Sequence, residues 1–212
     1  MARRTSAPTV AAVADDPLPS RASSDGTLRR LQHAALELFA ERGYHGVSMR
    51  ELAAATGVQP SSLYSHMPSK ERLLLDLVVL GHEEHRDRLR AALLESGDDP
   101  AEQLASVVRA HVGFHVEFPT LATVVNNELH ALSEDGQREV RLIRGDAERT
   151  IVDIVERGVR LGSFHVPDVW LAAAAIGGMG IRAAAWFRQG NYTPGEVADT
   201  YAEFALRIVG AR

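Results

Sequence analysis

The sequence predicts an all-α protein of about nine helices, with a small N-terminal three-helix unit followed by a larger helical domain. Three observations carry that prediction. Apolar residues recur at three- and four-residue spacing through most of the chain, the period of a single buried helix face. Helix-start signals stand at the head of several such stretches: Ser48-Met49-Arg50-Glu51, Asp99-Pro100-Ala101-Glu102 and Thr193-Pro194-Gly195-Glu196. In each, a side-chain oxygen can cap backbone N–H groups while a glutamate three residues on reaches back. Glycine or proline then stands near the ends of the stretches, where a helix needs a left-handed residue or cannot continue.

Residues 1–24 are rich in Ala, Pro and Ser, lack an apolar face and read as a flexible tail. Arg3, Arg4 and Arg21 are either solvated or an arm for a neighbouring minor groove. Leu28, Leu31, Ala35, Leu38 and Phe39 put a buried stripe on a helix from Thr27 to Arg42, stopped by Gly43. The box Ser48–Glu51 opens a short second helix carrying Leu52, Ala53 and Ala54, which ends near Thr56 because Gly57 frees the backbone for a sharp turn plugged by Val58. Pro60, whose missing N–H is no loss in a first turn, opens a third helix reaching His66. Leu63 points inward on it, and Ser61, Ser62, Tyr64, Ser65 and His66 point outward, all able to hydrogen-bond phosphates or base edges. Pro68 ends that helix. Residues 25–70 thus spell out a helix-turn-helix whose third helix is the candidate for the major groove of double-stranded DNA.

The remainder, residues 71–212, reads as helices throughout. Ser69 caps a long helix to Glu95, a lever between the two parts, with Leu73, Leu74, Leu77, Val78, Leu80, Leu89 and Leu93 on it. Asp99 and Pro100 restart the chain in a helix that runs to Phe118, where Pro119 stops it. A shorter helix covers Thr120–Leu132, a turn covers Ser133–Gly136, and a long helix covers Val140–Arg160 before the break at Gly162-Ser163-Phe164. Val169–Arg188 is nearly uncharged, with Arg182 as its internal charge, and its Gly177-Gly178-Met179-Gly180 run reads as close helix packing, not phosphate binding. Thr193–Glu196 opens the last helix, with Val197, Tyr201, Phe204, Ala205, Ile208 and Val209 on one side.

Composition bounds the function. The net charge of −5 conceals an asymmetry: residues 1–70 hold eight Lys/Arg against six Asp/Glu, and the rest holds 15 against 22. The positive end is the one with the helix-turn-helix, but the field is modest, so DNA affinity must rely on two copies and close phosphate contacts. The absence of cysteine excludes disulfides, thiolate metal sites and thiol redox sensing. The N-terminus lacks a signal-peptide block, and no apolar run approaches the roughly 18 residues of a membrane span, so a cytoplasmic protein without membrane contact is expected. No GxSxG, P-loop, strand-bound GxGxxG or HExxH occurs, so no catalytic role and no cofactor are expected. The alternative is a helical structural or partner-binding protein without sequence-specific DNA binding, which would have no use for the groove-facing set.

The run from Ala34 through Tyr44, with Ser48-Met49-Arg50-Glu51-Leu52-Ala53, Gly57-Val58, Leu63-Tyr64-Ser65-His66 and Lys70-Glu71, resembles the DNA-binding domain of TetR/AcrR-type transcriptional regulators. Met67 stands where that family more often has Phe, keeping an apolar plug. The resemblance implies a homodimeric repressor whose second domain binds a small-molecule effector and lowers operator affinity. By the same resemblance, Ser48 and Lys70 hold backbone phosphates, and Arg50, Ser61, Ser62, Tyr64 and His66 face bases or phosphates. It also implies that the last two helices pair with their copies in a second subunit, with Trp170, Ala174, Ile181, Tyr201, Phe204 and Ile208 at the interface. The effector pocket is placed among the helices of the second domain, and the side chains expected to line it are His111, Phe114, His115, Phe118, Asn126, Asn127, His130, Arg182 and Trp186. The tail Trp186-Phe187-Arg188 with Gly190, Thr193-Pro194, Glu196-Val197-Ala198 and Tyr201 is similar to regulators that respond to acyl-CoA thioesters, which implies a fatty-acyl or acyl-CoA ligand; as plain structure, Trp186-Phe187 is core and Arg188 a helix-end cation. His111 and His115 lie four apart on one face, where Glu128 or His130 could complete a metal site. They read as polar core, and no metal is assigned.

Overall fold

A computed structural model describes residues 16–59, 63–64, 67–187 and 191–211. Among these residues there are eight α-helices and one 3₁₀ turn, with no strand. The helices are α1 Gly26–Arg42, α2 Met49–Thr56, α3 Lys70–Glu95, α4 Pro100–Glu117, α5 Pro119–Asn127, α6 Glu134–Arg160, α7 Val169–Trp186 and α8 Pro194–Ile208, with the 3₁₀ turn at Leu129–Ala131. Leu63 and Tyr64 are helical, whereas Pro60, Ser61, Ser62, Ser65 and His66 of the expected groove helix lie outside the described residues.

The described residues form two compact units, and the long helices α3 and α6 each contribute to both. One unit takes in residues 16–84 and 118–144; the other takes in 85–117 and 145–211. In the first, Leu31, Ala35, Leu36, Phe39, Tyr44, Val47, Leu52, Ala53, Leu63 and Met67 are buried, and the Phe39 and Tyr44 rings meet at 5.5 Å. Met67 is the apolar plug the sequence expects. The buried face of α1 is turned from the expected one: Leu36 is buried, and Leu28 and Leu38 are only half-buried. The cause is a second neighbour, because α1 packs against α5 as well as α2.

The predicted capping boxes are present: Ser48 with Glu51 and Thr193 with Glu196 are both complete. The cap of α1 is one the sequence reading does not name: Asp25 accepts from the Thr27 and Leu28 amides. Gly57 closes α2 in the left-handed conformation at φ 68°, which costs a residue with a Cβ about 1 kcal/mol or more.

Three boundaries differ from expectation. Pro119 does not merely stop α4; it occupies the first turn of α5, whose N-cap is Phe118, and that helix gives way to the 3₁₀ turn instead of running to Leu132. The segment 133–136 is not a turn, since α6 starts at Glu134 and the Ser133 side chain reaches the Gly136 amide. The tail is not loose throughout. From Asp16 onward it is packed: Leu18 is buried, Arg21 pairs with Glu83, and Asp16 accepts from Arg29 and is hydrogen-bonded to His33 at 2.7 Å. Burial raises the Asp16 carboxyl, but hydrogen bonds from Arg29, the Leu18 amide and His33 outweigh it and hold its pKa at about 2.

In the second unit α4 is the central helix, with twelve of its eighteen residues buried, and it packs against α7 and α8. Leu104, Val107, Val108, Val112 and Val116 from α4 share one core with Ile151, Ile154 and Val155 of α6, Ile176 of α7 and Val197 and Ala205 of α8. Phe164 fills this core above Gly158, where a Cβ would stand 2.0 Å from the ring. Helix α7 corrects one expectation: its 18 residues have a mean hydropathy of 1.3, so a stretch of membrane-crossing length and composition is present. Only a third of it is buried in this chain, and Trp170, Leu171, Ile181 and Trp186 are exposed.

Candidate nucleic-acid interface and effector site

The nucleic-acid candidates are set by the short helices of the first unit. Ser48 is exposed at the N-terminus of α2, but its hydroxyl is engaged: it accepts from the Glu51 amide and meets the Glu51 carboxylate at 2.7 Å, which holds that carboxyl below its usual range. Arg50, one residue into α2, is exposed. Tyr64 is 54% exposed while its neighbour Leu63 is fully buried, the alternation expected of a helix that keeps one face for a partner. Ser61, Ser62 and His66 lie outside the described residues.

Lys70 has a role that sequence reasoning missed. Its ammonium donates to the backbone carbonyls of Tyr44 and Val47 and sits 4.1 Å from the centre of the Tyr44 ring. Burial pushes its pKa down, against the nearby Glu51 charge. The lysine therefore ties the start of α3 to the loop between α1 and α2. Two of its three N–H donors are thereby engaged with backbone. The Tyr44 aromatic ring on a helix-to-helix loop is the one signal that could have pointed to this contact.

The residues expected to line an effector pocket are divided between the two compact units. His111, Phe114 and His115 are buried together in the second unit, where their rings meet at 4.8–5.3 Å. Phe118, Asn126, Asn127 and His130 belong to the first unit. There Asn126 donates to the Ala122 carbonyl of its own helix, Asn127 is exposed, and the His130 ring lies 6.4 Å from that of His45. Arg182 and Trp186 are exposed on α7, and Trp186 stacks on Tyr201 at 6.4 Å. Arg188 lies outside the described residues.

The histidine pair gains a third member that the sequence did not suggest. His85 of α3 approaches His111 with Nε2 to Nδ1 at 2.7 Å, and its ring lies 5.5 Å from that of His115. His111 Nε2 donates to the Gly177 carbonyl at 3.0 Å, and burial pushes its pKa down against that hydrogen bond. His115 Nδ1 donates to the His111 carbonyl at 2.8 Å. The close packing expected of the glycine run is met at Gly180, where a Cβ would stand 2.2 Å from the His111 ring.

The outer faces of the last two helices carry the remaining expected set. Trp170 is 68% exposed, Ala174 and Ile181 are exposed on the same helix, and Phe204 and Ile208 are exposed on α8, with Tyr201 half-buried beside them. At spacings of four and seven on α7, and three and four on α8, these residues form continuous apolar stripes.

An α2 capped for a tight turn, a helical segment at Leu63–Tyr64 that buries the first and exposes the second, and a larger helical body fit a helix-turn-helix protein of two parts. Comparison with known proteins then names the family. Residues 31–77 match the family model for bacterial regulatory proteins of the tetR family, and residues 97–209, more than half of the chain, match the tetracyclin repressor-like C-terminal domain. The chain belongs to the TetR family of transcriptional regulators. It is similar to the HTH-type transcriptional repressor KstR2 of Rhodococcus jostii (strain RHA1), 25% identical over 194 residues that cover 91% of this chain and 94% of that protein. Among solved structures, it is similar to a bacterial regulatory protein of the tetR family from Rhodococcus RHA1, at a TM-score of 0.82 and 33% identity, covering 89% of this chain and 100% of that one. The fold is also that of AibR in complex with isovaleryl coenzyme A and operator DNA, at a TM-score of 0.76 and 20% identity, covering 88% and 100%.

Proposed function

We propose that this regulator is a repressor that binds a pseudo-palindromic operator as a homodimer and is released from it by a small-molecule effector. The observation that carries the reading is the exposure of Arg50 and Tyr64 on the helices of a family-matched helix-turn-helix whose inward residues are fully buried. We assign residues 25–70 to DNA binding and 71–212 to effector binding and dimerisation. Arg50, Ser61, Ser62, Tyr64 and His66 are the base- and phosphate-facing set, with Ser48 and the last donor of Lys70 on the backbone. The exposed stripes of α7 and α8 meet their copies in the dimer, which gives the apolar outer face of α7 a protein partner in place of lipid and keeps the protein in the cytoplasm. The family is one of regulators, and no catalytic activity is assigned.

The two groove helices of such a dimer lie one DNA turn apart, about 34–36 Å. An effector that binds the released state better shifts the population toward it; a coupling of about 1–2 kcal/mol lowers operator affinity roughly five- to thirty-fold. A fatty-acyl or acyl-CoA ligand is supported by the fold shared with AibR, which holds isovaleryl coenzyme A, and by the Trp186-Phe187 tail. Selection of bound sequences from random duplexes tests the reading: one enriched inverted repeat, bound by a dimer and lost on Tyr64→Ala, is expected. Recovery of no enriched sequence, or unchanged binding by Tyr64→Ala, would overturn it. Titrating acyl-CoA thioesters into the operator complex tests the effector, and unchanged affinity removes that ligand class.

A further inference from the structure

The cluster of His85, His111 and His115 has no part in the reading above beyond the inclusion of His111 and His115 among expected pocket residues. One ring nitrogen from each of the three lies within 4.8 Å of the others. We propose that these three imidazoles form a binding site for a divalent transition-metal ion of the zinc class.

Three features of the structure support the site. The first is the ligand set itself: three imidazoles are a common zinc donor set, and they leave the fourth tetrahedral position open to water or to an anionic group. At zinc–nitrogen bonds of about 2.0–2.1 Å, ligand nitrogens stand about 3.3 Å apart in a tetrahedron. The contact of 2.7 Å and the 4.8 Å limit bracket that spacing, so side-chain adjustments of about an ångström bring the three onto one ion.

The second feature is orientation. The Gly177 carbonyl fixes the proton of His111 on Nε2, which turns the unprotonated Nδ1 toward His85. The His111 carbonyl fixes the proton of His115 on Nδ1, which makes Nε2 its ligating atom in the neutral ring. Carbonyl acceptors of this kind set the tautomer and direction of metal-ligating histidines. On binding, His85 Nε2 gives up the proton it shares with His111 Nδ1, to its own Nδ1 or to solvent, so that three neutral imidazoles meet the ion.

The third feature is the room made for the cluster. His111 and His115 are almost wholly buried, and α7 has a glycine at 180 where any side chain would strike the His111 ring. An apolar pair would fill the same core at lower desolvation cost. Because His85 comes from α3 and the other two from α4, the ion would cross-link these helices within the second unit.

The test uses the full chain after treatment with a chelator. Titration with Zn²⁺, and with Co²⁺ as a visible reporter, should show one ion per chain and the ligand-field absorption of a four-coordinate site. His85→Asn and His115→Asn should each weaken binding by more than the roughly 10–100-fold that loss of an outer-shell partner costs. Half-exposed His85 is the mutation expected to leave the fold intact, as read by helical circular dichroism and gel filtration. Binding by the wild type only at millimolar metal, or affinity retained in either variant, would overturn the site. If a variant fails to fold, X-ray absorption on the zinc-loaded wild type decides: a shell with three imidazole nitrogens supports the site, and fewer than three overturns it. None of these readouts involves DNA, so a chain that binds zinc but no operator would sink the repressor reading and leave this one standing, and the converse result would do the opposite.

Discussion

His82 should make the stability of this protein fall between neutral and mildly acidic pH. Its side chain is buried in the first unit, and its Nε2 has no hydrogen-bond partner. Burial first, then the charge of Arg144, lowers its pKa from 6.5 to about 4, against a hydrogen bond to the Val125 backbone. Above pH 6.5 both folded and unfolded chains carry the neutral ring. Below it the unfolded chain takes up a proton that the folded chain refuses until about pH 4, so the contribution is present at high pH and lost as pH falls through that window. The full shift of about 2.5 units corresponds to roughly 3 kcal/mol, of which about 2 kcal/mol is lost between pH 7.5 and pH 5. The perturbation is His82→Gln, which is neutral throughout and can still donate to the Val125 backbone. Urea unfolding of both proteins at the two pH values gives each one's own loss, so any uniform cost of the substitution cancels. So does the slope from His111, which is shifted in the same direction in both. The wild type should lose about 2 kcal/mol more than the variant, or roughly 4–8 °C more in Tm. Equal losses in the two proteins would show that His82 is not held neutral by the fold, and the reasoning would fail.

Other outcomes follow from the same geometry. Ser48→Ala removes the α2 cap and should cost about 1 kcal/mol in chemical denaturation, with Glu51 held less far below its usual pKa because the hydroxyl hydrogen bond is gone. Gly158→Ala drives a methyl into the Phe164 ring and should cost about 1–3 kcal/mol, whereas alanine at Gly145, which meets nothing within 4 Å, should be neutral or mildly stabilising in the same thermal scan. Arg50→Ala should weaken operator binding by about 1–3 kcal/mol in a gel-shift titration while leaving the circular dichroism spectrum unchanged. A double change of Trp170→Glu and Phe204→Glu places charge on both exposed stripes, and sedimentation should then report a monomer.

Much of the fold was legible because it is written locally. The helix starts at Ser48 and Thr193 are decided by side chains that reach their own backbone three residues on, and the stop at Gly57 by a conformation that other residues resist. Proline is ambiguous in the sequence. Pro119 can end one helix or begin the next, and here it begins one, because the chain turns at Phe118 and a first helical turn accepts a residue without an N–H. The buried side of α1 was misjudged for a related reason: periodicity gives the existence of an apolar face, but its centre depends on how many neighbours the helix acquires.

The candidate sites divide in the same way. Arg50 and Tyr64 could be named from sequence because the helix-turn-helix fits within 50 residues and its turns fix which face is inward. Lys70 was legible as a cation near that motif, but its grip on the Tyr44 and Val47 carbonyls joins positions 26 and 23 residues apart. His111 and His115 advertise one another through helical spacing. His85 does not, since it reaches them from another helix by packing, and Glu128 and His130 fall in the other compact unit.

By itself, then, the sequence determined the helices, their caps, the inward and outward faces of the DNA-binding motif and the regulator class, since all of these follow from spacings shorter than a few helical turns. The tertiary structure alone decided that three imidazoles from two helices meet beneath Gly180, that Lys70 pins a loop, and that His82 is sealed away from protons. These depend on which helices pack together and how closely, and no short-range pattern along the chain encodes that.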